Sequence, residues 1–219
     1  MVTKQTKSKK RVADHGEVFT AEREVNAMLD LVKQETERIE SRFFEPACGD
    51  GNFLAEILRR KLAVVKSRYG KHAADYERYS VIAITSIYGV DILQDNVNDC
   101  RERLFEIWNN EYTANCKKEA NDDCRDAVRY ILRHNILCGD ALTLRQANNA
   151  PIIFAEWSAV NGCLMKRRDF RLDQMLEGHE QQMTLFMTGW EYDEEIHAFI
   201  PLPIREFAPI HYRRVQDNG

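Results

Sequence analysis

Residues 43–58 read FFEPACGDGNFLAEIL: two aromatics, an acidic residue, a proline, glycines at 49 and 51, then apolar residues at helical spacing. A short apolar run that enters a glycine-rich turn and leaves it as a helix is how a parallel α/β sheet begins a ligand site. Phe43-Phe44 reads as a short buried strand, and Phe53, Leu54, Ile57, Leu58 and Leu62 mark one face of the following helix.

Upstream, Val25, Met28, Leu29 and Val32 outline a helix over Glu22 to Val32, with Thr20 placed to cap it. Downstream, Val81 to Ile92 (VIAITSIYGVDI) reads as a second strand that closes on Asp91. Val97, Cys100, Leu104, Ile107 and Trp108 give another helix face, and Ala127, Val128, Ile131 and Leu132 a third. Asn135 to Leu142 (NILCGDAL) is again a short strand ending at an aspartate, Asp140, and Pro151 to Ala155 (PIIFA) is a fourth strand. Strands alternating with helices predict an α/β fold, a doubly wound and mostly parallel sheet, because parallel neighbours need crossover connections.

Ligands of such sheets sit beyond the carboxyl ends of the strands. Three successive strands finish in Glu45-Pro46, Asp91 and Gly139-Asp140, which gathers three carboxylates along one edge. Carboxylates so gathered raise one another's pKa and call for donors. Ribose hydroxyls suit Asp91, and an exocyclic amine or an ammonium suits Asp140 or Glu45; hydrogen bonds to charged groups contribute about 1.5–3 kcal/mol each. Gly49 and Gly51 let the backbone approach a ligand, and the helix N-terminus after them favours a carboxylate. An adenosyl ligand with an amine and a carboxylate meets all these demands. Taken singly, each feature has a plainer reading: a glycine turn kept for packing, or an aspartate that caps the next helix.

The chain of 219 residues is long enough for one domain with an appendage. A hydrophobic content of 44% and a charged content of 30% are those of an ordinary soluble protein, and the net charge of −4 gives no overall basic footprint for nucleic acid. Six cysteines at 48, 100, 116, 124, 138 and 163 form no CxxC pair and no metal-like spacing, so they read as reduced thiols with no metal. No apolar stretch approaches the eighteen or so residues of a membrane span, and KQTKSKKR lacks the apolar core of a signal peptide, so a cytoplasmic location is expected. Residues 1–13 read as a disordered basic arm, a solvated tail rather than one contacting phosphate.

Taken together and in this order, the motifs of residues 14 to 160 resemble the S-adenosylmethionine-binding core of bacterial DNA adenine-N6 methyltransferases of restriction-modification systems, a Rossmann-like class I fold. DHGEVFTAEREVNAMLDL, residues 14–31, is similar to the family's upstream segment, in which a Phe-Thr pair, here Phe19-Thr20, lies against the methionine moiety; Ala21 stands where a proline commonly follows. EPACGDGNF resembles the glycine motif and implies Glu45, Pro46, Ala47, Gly49, Gly51 and Phe53 around the cofactor. YGVDI resembles the ribose motif, which puts Asp91 on the hydroxyls with Ile92 beside it. CGDAL resembles the adenine motif, with Asp140 at the exocyclic amine and Ala141 near the ring.

The family's catalytic motif, Asn/Asp/Ser-Pro-Pro-aromatic, accepts hydrogen bonds from the target amine and stacks on a flipped-out base, a contact of about 1–3 kcal/mol. This chain has PIIFAEWSAVNG there, with no Pro-Pro. Glu156 and Trp157 are its candidates, against the reading of an acidic residue and a core-edge tryptophan. About sixty residues follow, too few for the rest of such an enzyme and a target-recognition domain. Residues 161–219 are expected to complete the sheet or pack on it. There MKRRDF (165–170) and HYRR (211–214) are small basic clusters for phosphates or salt bridges, and Trp190, Tyr192 and 199–210 suggest irregular structure or edge strands.

Three functions follow as expectations. The first is a methyltransferase that moves a methyl group to adenine in DNA. The second is an inactive accessory subunit that binds cofactor or a partner, either a methyltransferase or a specificity subunit. The third is a methyltransferase for another acceptor, with Glu156 and Trp157 as substrate residues.

Overall fold

The computed structural model describes residue 11 and residues 20–177, 190–193 and 198–218. Phe19 and, Arg11 apart, the expected basic arm lie outside the described residues. The first helix, α1 (Glu22–Asp30), buries Val25 and Leu29. Its N-cap is Ala21, without a side-chain cap bond, so Thr20 does not cap it; Val32 falls beyond its end. After a single turn, α2 (Lys33–Thr36), comes β1 (Phe43–Glu45).

A parallel sheet of three strands is the frame of the chain, β1 pairing with β2 (Ile87–Asp91) and β2 with β3 (Ile136–Cys138). Helices α3 (Asn52–Tyr69) and α4 (Ala73–Thr85) connect the first two strands, and α5 (Gln94–Cys116) and α6 (Asp122–Asn135) the next two. Val81–Thr85, expected to be strand, is the last part of α4. Tyr76, Ser80, Val81 and Ile84 are buried at helical spacing, and a continuous apolar run does not by itself distinguish a buried helix from a strand.

The strand order advances in one direction, and right-handed crossovers then keep their helices on one face. On that face a Cβ at Gly89 would lie 2.9 Å from Leu54 Cδ1 of α3. On the opposite face Tyr88 and Val90 pack with Ile152, Phe154 and Leu172. Phe154 meets the rings of both Phe44 and Tyr88 edge-on at 5.6 Å.

The expected fourth parallel strand is instead β4 (Ile153–Ala159), antiparallel to β5 (Leu164–Arg171). This hairpin, with β8 (Arg205–Glu206) and β9 (Ile210–His211) on β5, forms a second sheet, so the second face is covered by a hairpin where double winding would place helices. Its turn carries Asn161-Gly162, with Gly162 at φ 58°, a strong local hairpin signal. The boundary expected at residue 160 falls in this turn. A short helix, α7 (Leu172–Glu177), follows β5, and β6 (Trp190–Asp193) pairs with β7 (Ala198–Pro201).

Two buried charges tie distant segments together. Lys61 of α3, fully buried, donates to Ile39 O at 3.0 Å, to Ser41 O and to Ser86 Oγ at 2.7 Å, which fixes the approach to β1. Its burial lowers its pKa to about 7. Glu77 of α4, 1% exposed, accepts from Tyr112 and Tyr212 hydroxyls at 2.6 Å each, from Arg213 Nε at 2.5 Å and from Asn121 Nδ2 at 3.3 Å. The 3-10 segment Tyr212–Asp217 is thereby held against the helical layer.

Removing one partner of a buried, paired charge costs about 3–5 kcal/mol. Glu77→Ala is expected to lower the urea-unfolding free energy by that amount, and to strip the C-terminal segment of its protection from amide exchange. A change under about 1 kcal/mol, the net worth of one ordinary hydrogen bond, would mean that Glu77 is not the fastening.

Candidate functional site

The chain leaves β1 at Glu45 and turns through Pro46–Gly51 into α3. Gly49 (φ 54°) and Gly51 (φ 88°) are left-handed, a conformation a side chain resists. Gly51 is the buried N-cap of α3, where a Cβ would stand 2.7 Å from Cys100 Sγ. Gly51 therefore shapes the turn against α5 and is not on the cleft wall. The turn is pinned to β2 twice, by Cys48 N donating to Val90 O at 2.9 Å and by Gly49 N donating to Asp91 Oδ2 at 3.0 Å.

Asp91 is 8% exposed and is held by the protein itself. Its Oδ1 accepts from Leu93 N at 2.9 Å and from Asn96 Nδ2 at 3.2 Å. Behind Asn96 stands Arg11, whose Nη2 donates to Asn96 Oδ1 at 2.9 Å while its guanidinium pairs with Asp95. Arginine has no acceptor, so it fixes the amide's orientation and leaves the NH₂ for Asp91. Three of the roughly four lone-pair sites of the Asp91 carboxylate are thus in use, which leaves room for one further donor.

Around this point lies a cleft of about 530 Å³, in the range of small-molecule sites. Thr20, Glu45, Pro46, Ala47, Gly49, Phe53, Asp91, Ile92, Asp140 and Ala141 line it. It sits at the carboxyl ends of the parallel strands. Glu45 is half-buried, and burial pushes its carboxyl above the ordinary range against the opposing N–H of Ala47. Asp140 Oδ1 accepts from Leu142 N at 2.8 Å, and that N–H holds its carboxyl below the ordinary range.

The wall also includes Cys48, Asn52, Leu93, Asn96, Gly139 and Leu142, which the motifs alone do not single out as site residues. Asn96 has a detectable signal, a polar residue one helical turn beyond a strand-end aspartate; Leu142 carries none. Leu142 is 96% exposed and Ile92 57%, so two large apolar side chains stand in water at the mouth. α3 has no acidic residue in its first turn, and its first two residues, Asn52 and Phe53, stand on the cleft wall.

Glu156 and Trp157 are not brought to this cleft. Glu156 pairs with Arg42 and with Arg168 at 2.9 Å, and Ser158 Oγ donates to it at 2.8 Å. Burial pushes its carboxyl up, but these partners outweigh burial and the net shift is downward. Trp157, 6% exposed, donates Nε1 to Asn135 Oδ1 at 2.8 Å and packs against Tyr130 and His134. The structure thus places the two expected catalytic candidates away from the cleft, as an ion-paired carboxylate and a buried, satisfied indole.

The basic clusters are likewise occupied. Lys166 pairs with Glu206, Arg167 with Asp169, Arg213 with Glu77 and Arg214 with Asp217. Among the described residues no group of three or more His, Cys, Asp or Glu could hold a metal ion, and no helix is long and apolar enough to cross a membrane.

No protein-family model matches the chain. No solved structure matches it. Over 114 residues, half of the chain, it is 25% identical to DNA methyltransferase A of Bacillus subtilis strain 168, of which the match covers 13%. The chain therefore spans a small part of that relative. It has an α/β fold with a parallel three-stranded sheet, and a distant similarity to a DNA methyltransferase.

Proposed function

We propose that the cleft binds S-adenosylmethionine and that the chain is a Rossmann-like relative of the DNA adenine-N6 methyltransferases. The observation that carries this is the convergence of Thr20, the 45–49 turn, Asp91 and Asp140 on one cleft beyond the parallel strands. The donor and acceptor set fits the ligand. Asp91 has capacity for one ribose hydroxyl, Asp140 is ionised and accepts from an exocyclic amine, and Glu45 accepts from an ammonium. The first turn of α3 offers N–H groups to a carboxylate. Ile92 and Leu142 lose water on closing over a flat ring, a gain of about 25 cal/mol per Å² of apolar surface covered.

The bound cofactor would supply an activated methyl group, and the proposed acceptor is the amine of adenine in DNA. What the described residues supply is the cradle. A second reading has a specific observation behind it: Glu156 and Trp157 serve packing and ion pairing, so the chain is an accessory subunit that lends its cofactor site to a partner methyltransferase or specificity subunit. A tritiated-methyl assay on mixed-sequence DNA separates the two. Incorporation by the isolated chain excludes the accessory reading; binding without incorporation excludes solitary catalysis.

Titration calorimetry with S-adenosylmethionine tests the cleft. Asp140→Ala, whose side-chain bonds are to the neighbouring Leu142 and Thr143, is expected to weaken binding tenfold or more, about 1.4 kcal/mol, with an unchanged melting temperature. Arg11→Ala is expected to weaken it less, by freeing the Asn96 amide to turn away from Asp91. Saturable binding that neither variant alters would place the ligand elsewhere.

The pH dependence has a definite sign. A cationic amine prefers ionised Glu45, whose pKa burial raises above that of an ordinary carboxylate. Affinity is therefore expected to fall as pH drops through that raised pKa, and Glu45→Gln to flatten the fall. An identical pH profile in the variant would remove Glu45 from the site.

A further inference from the structure

Most described arginines are spent on carboxylates, as Arg60 is on Asp30 and Glu56, Arg103 on Asp50 and Arg171 on Asp173. Of the described arginines without such a partner, three line one hollow. Arg101 of α5 and Arg129 and Arg133 of α6 surround a depression of about 250 Å³ between these helices. Among the described residues none of the three has a carboxylate in ion-pair range. The hollow's single acidic residue, Glu102, forms no ion pair among the described residues either.

The three are also arranged. Arg101 is fixed by donating Nε to Ile136 O at 2.9 Å and Nη2 to Arg133 O at 3.2 Å. The Arg129 guanidinium carbon sits over the Phe105 ring, 3.5 Å from its centre. Arg129 and Arg133, four residues apart, share one face of α6, where like charges repel. Burial, and then the Arg133 charge, draws Arg101 below the ordinary guanidinium range. A concavity that concentrates positive charge, in a chain whose net charge is −4, is unfavourable until an anion neutralises it.

We propose that this hollow between α5 and α6 is a docking site for the phosphodiester backbone of a nucleic acid. Guanidinium forks match phosphate oxygens in geometry as well as charge. Positioning without base contact requires no more than such a set, since phosphate contacts set register and carry no sequence information. The hollow lies beside the start of β3, at the opposite end of the sheet from the cleft, so it would hold DNA without touching the cofactor. This role follows from the charge pattern and does not depend on what occupies the cleft.

The experiment is fluorescence anisotropy of a labelled mixed-sequence DNA duplex with the full chain over a range of salt. Arg129→Ser/Arg133→Ser is expected to weaken binding tenfold or more and to reduce the slope of log K against log salt by about 1 for each phosphate no longer neutralised. Arg59→Ser/Arg68→Ser removes the same charge from α3 and is expected to change little. Glu102→Gln, which removes the hollow's one carboxylate, is expected to tighten binding and keeps the test open if the double variant does not fold. Melting temperature and S-adenosylmethionine titration of each variant report on the fold and the cleft separately. No duplex binding by the wild type at low salt, equal weakening in the two double variants, or an affinity indifferent to both hollow substitutions would overturn the proposal.

Discussion

Everything at the carboxyl edge of the sheet hangs on the Asp91 carboxylate. It closes β2, takes the Gly49 N–H of the turn after β1, the Leu93 N–H of its own loop and the Asn96 amide from the first turn of α5. Parallel strands bring their following loops to one edge but do not by themselves set where each loop lies. A buried acceptor shared by two loops and a helix does, and a buried carboxylate left without donors would be costly. The same group is therefore both keystone and wall of the cleft, and Arg11 extends the arrangement to a residue far upstream in the chain.

The cleft was legible in the sequence because its components are local. A glycine turn between strand and helix and an acidic residue at each strand end can each be recognised within a short window of sequence. The departures share a different cause. Val81–Thr85 is apolar enough for a strand, and only its packing within α4 decides otherwise. PIIFA has the composition of a parallel strand, yet Asn161-Gly162 turns the chain straight back, so β4 pairs with β5 before it can join β1 or β3. That turn is visible in the sequence, and giving it weight predicts the hairpin. The roles of Glu77 with Tyr212 and Arg213, and of Asn135 beneath Trp157, join residues far apart in sequence and have no local sign.

The two faces of the sheet divide the chain's character. The helical face supports a pocket whose polar groups retain capacity and whose rim keeps apolar side chains in water. On the hairpin face Phe154 packs on Phe44 and Tyr88, Trp157 is buried, and Glu156 is neutralised by two arginines. Charge use follows the same division, with arginines paired across the hairpin and left in excess between α5 and α6.

Amide NMR during titration with S-adenosylmethionine reads the occupied site without relying on any substitution. The N–H groups of Gly49, Leu93 and Leu142, which donate to Asp91 and Asp140, are expected to shift in a single saturable process, together with the first turn of α3. No saturable shift, or shifts confined to the hairpin face around Arg42 and Phe154, would contradict the assignment of the cleft.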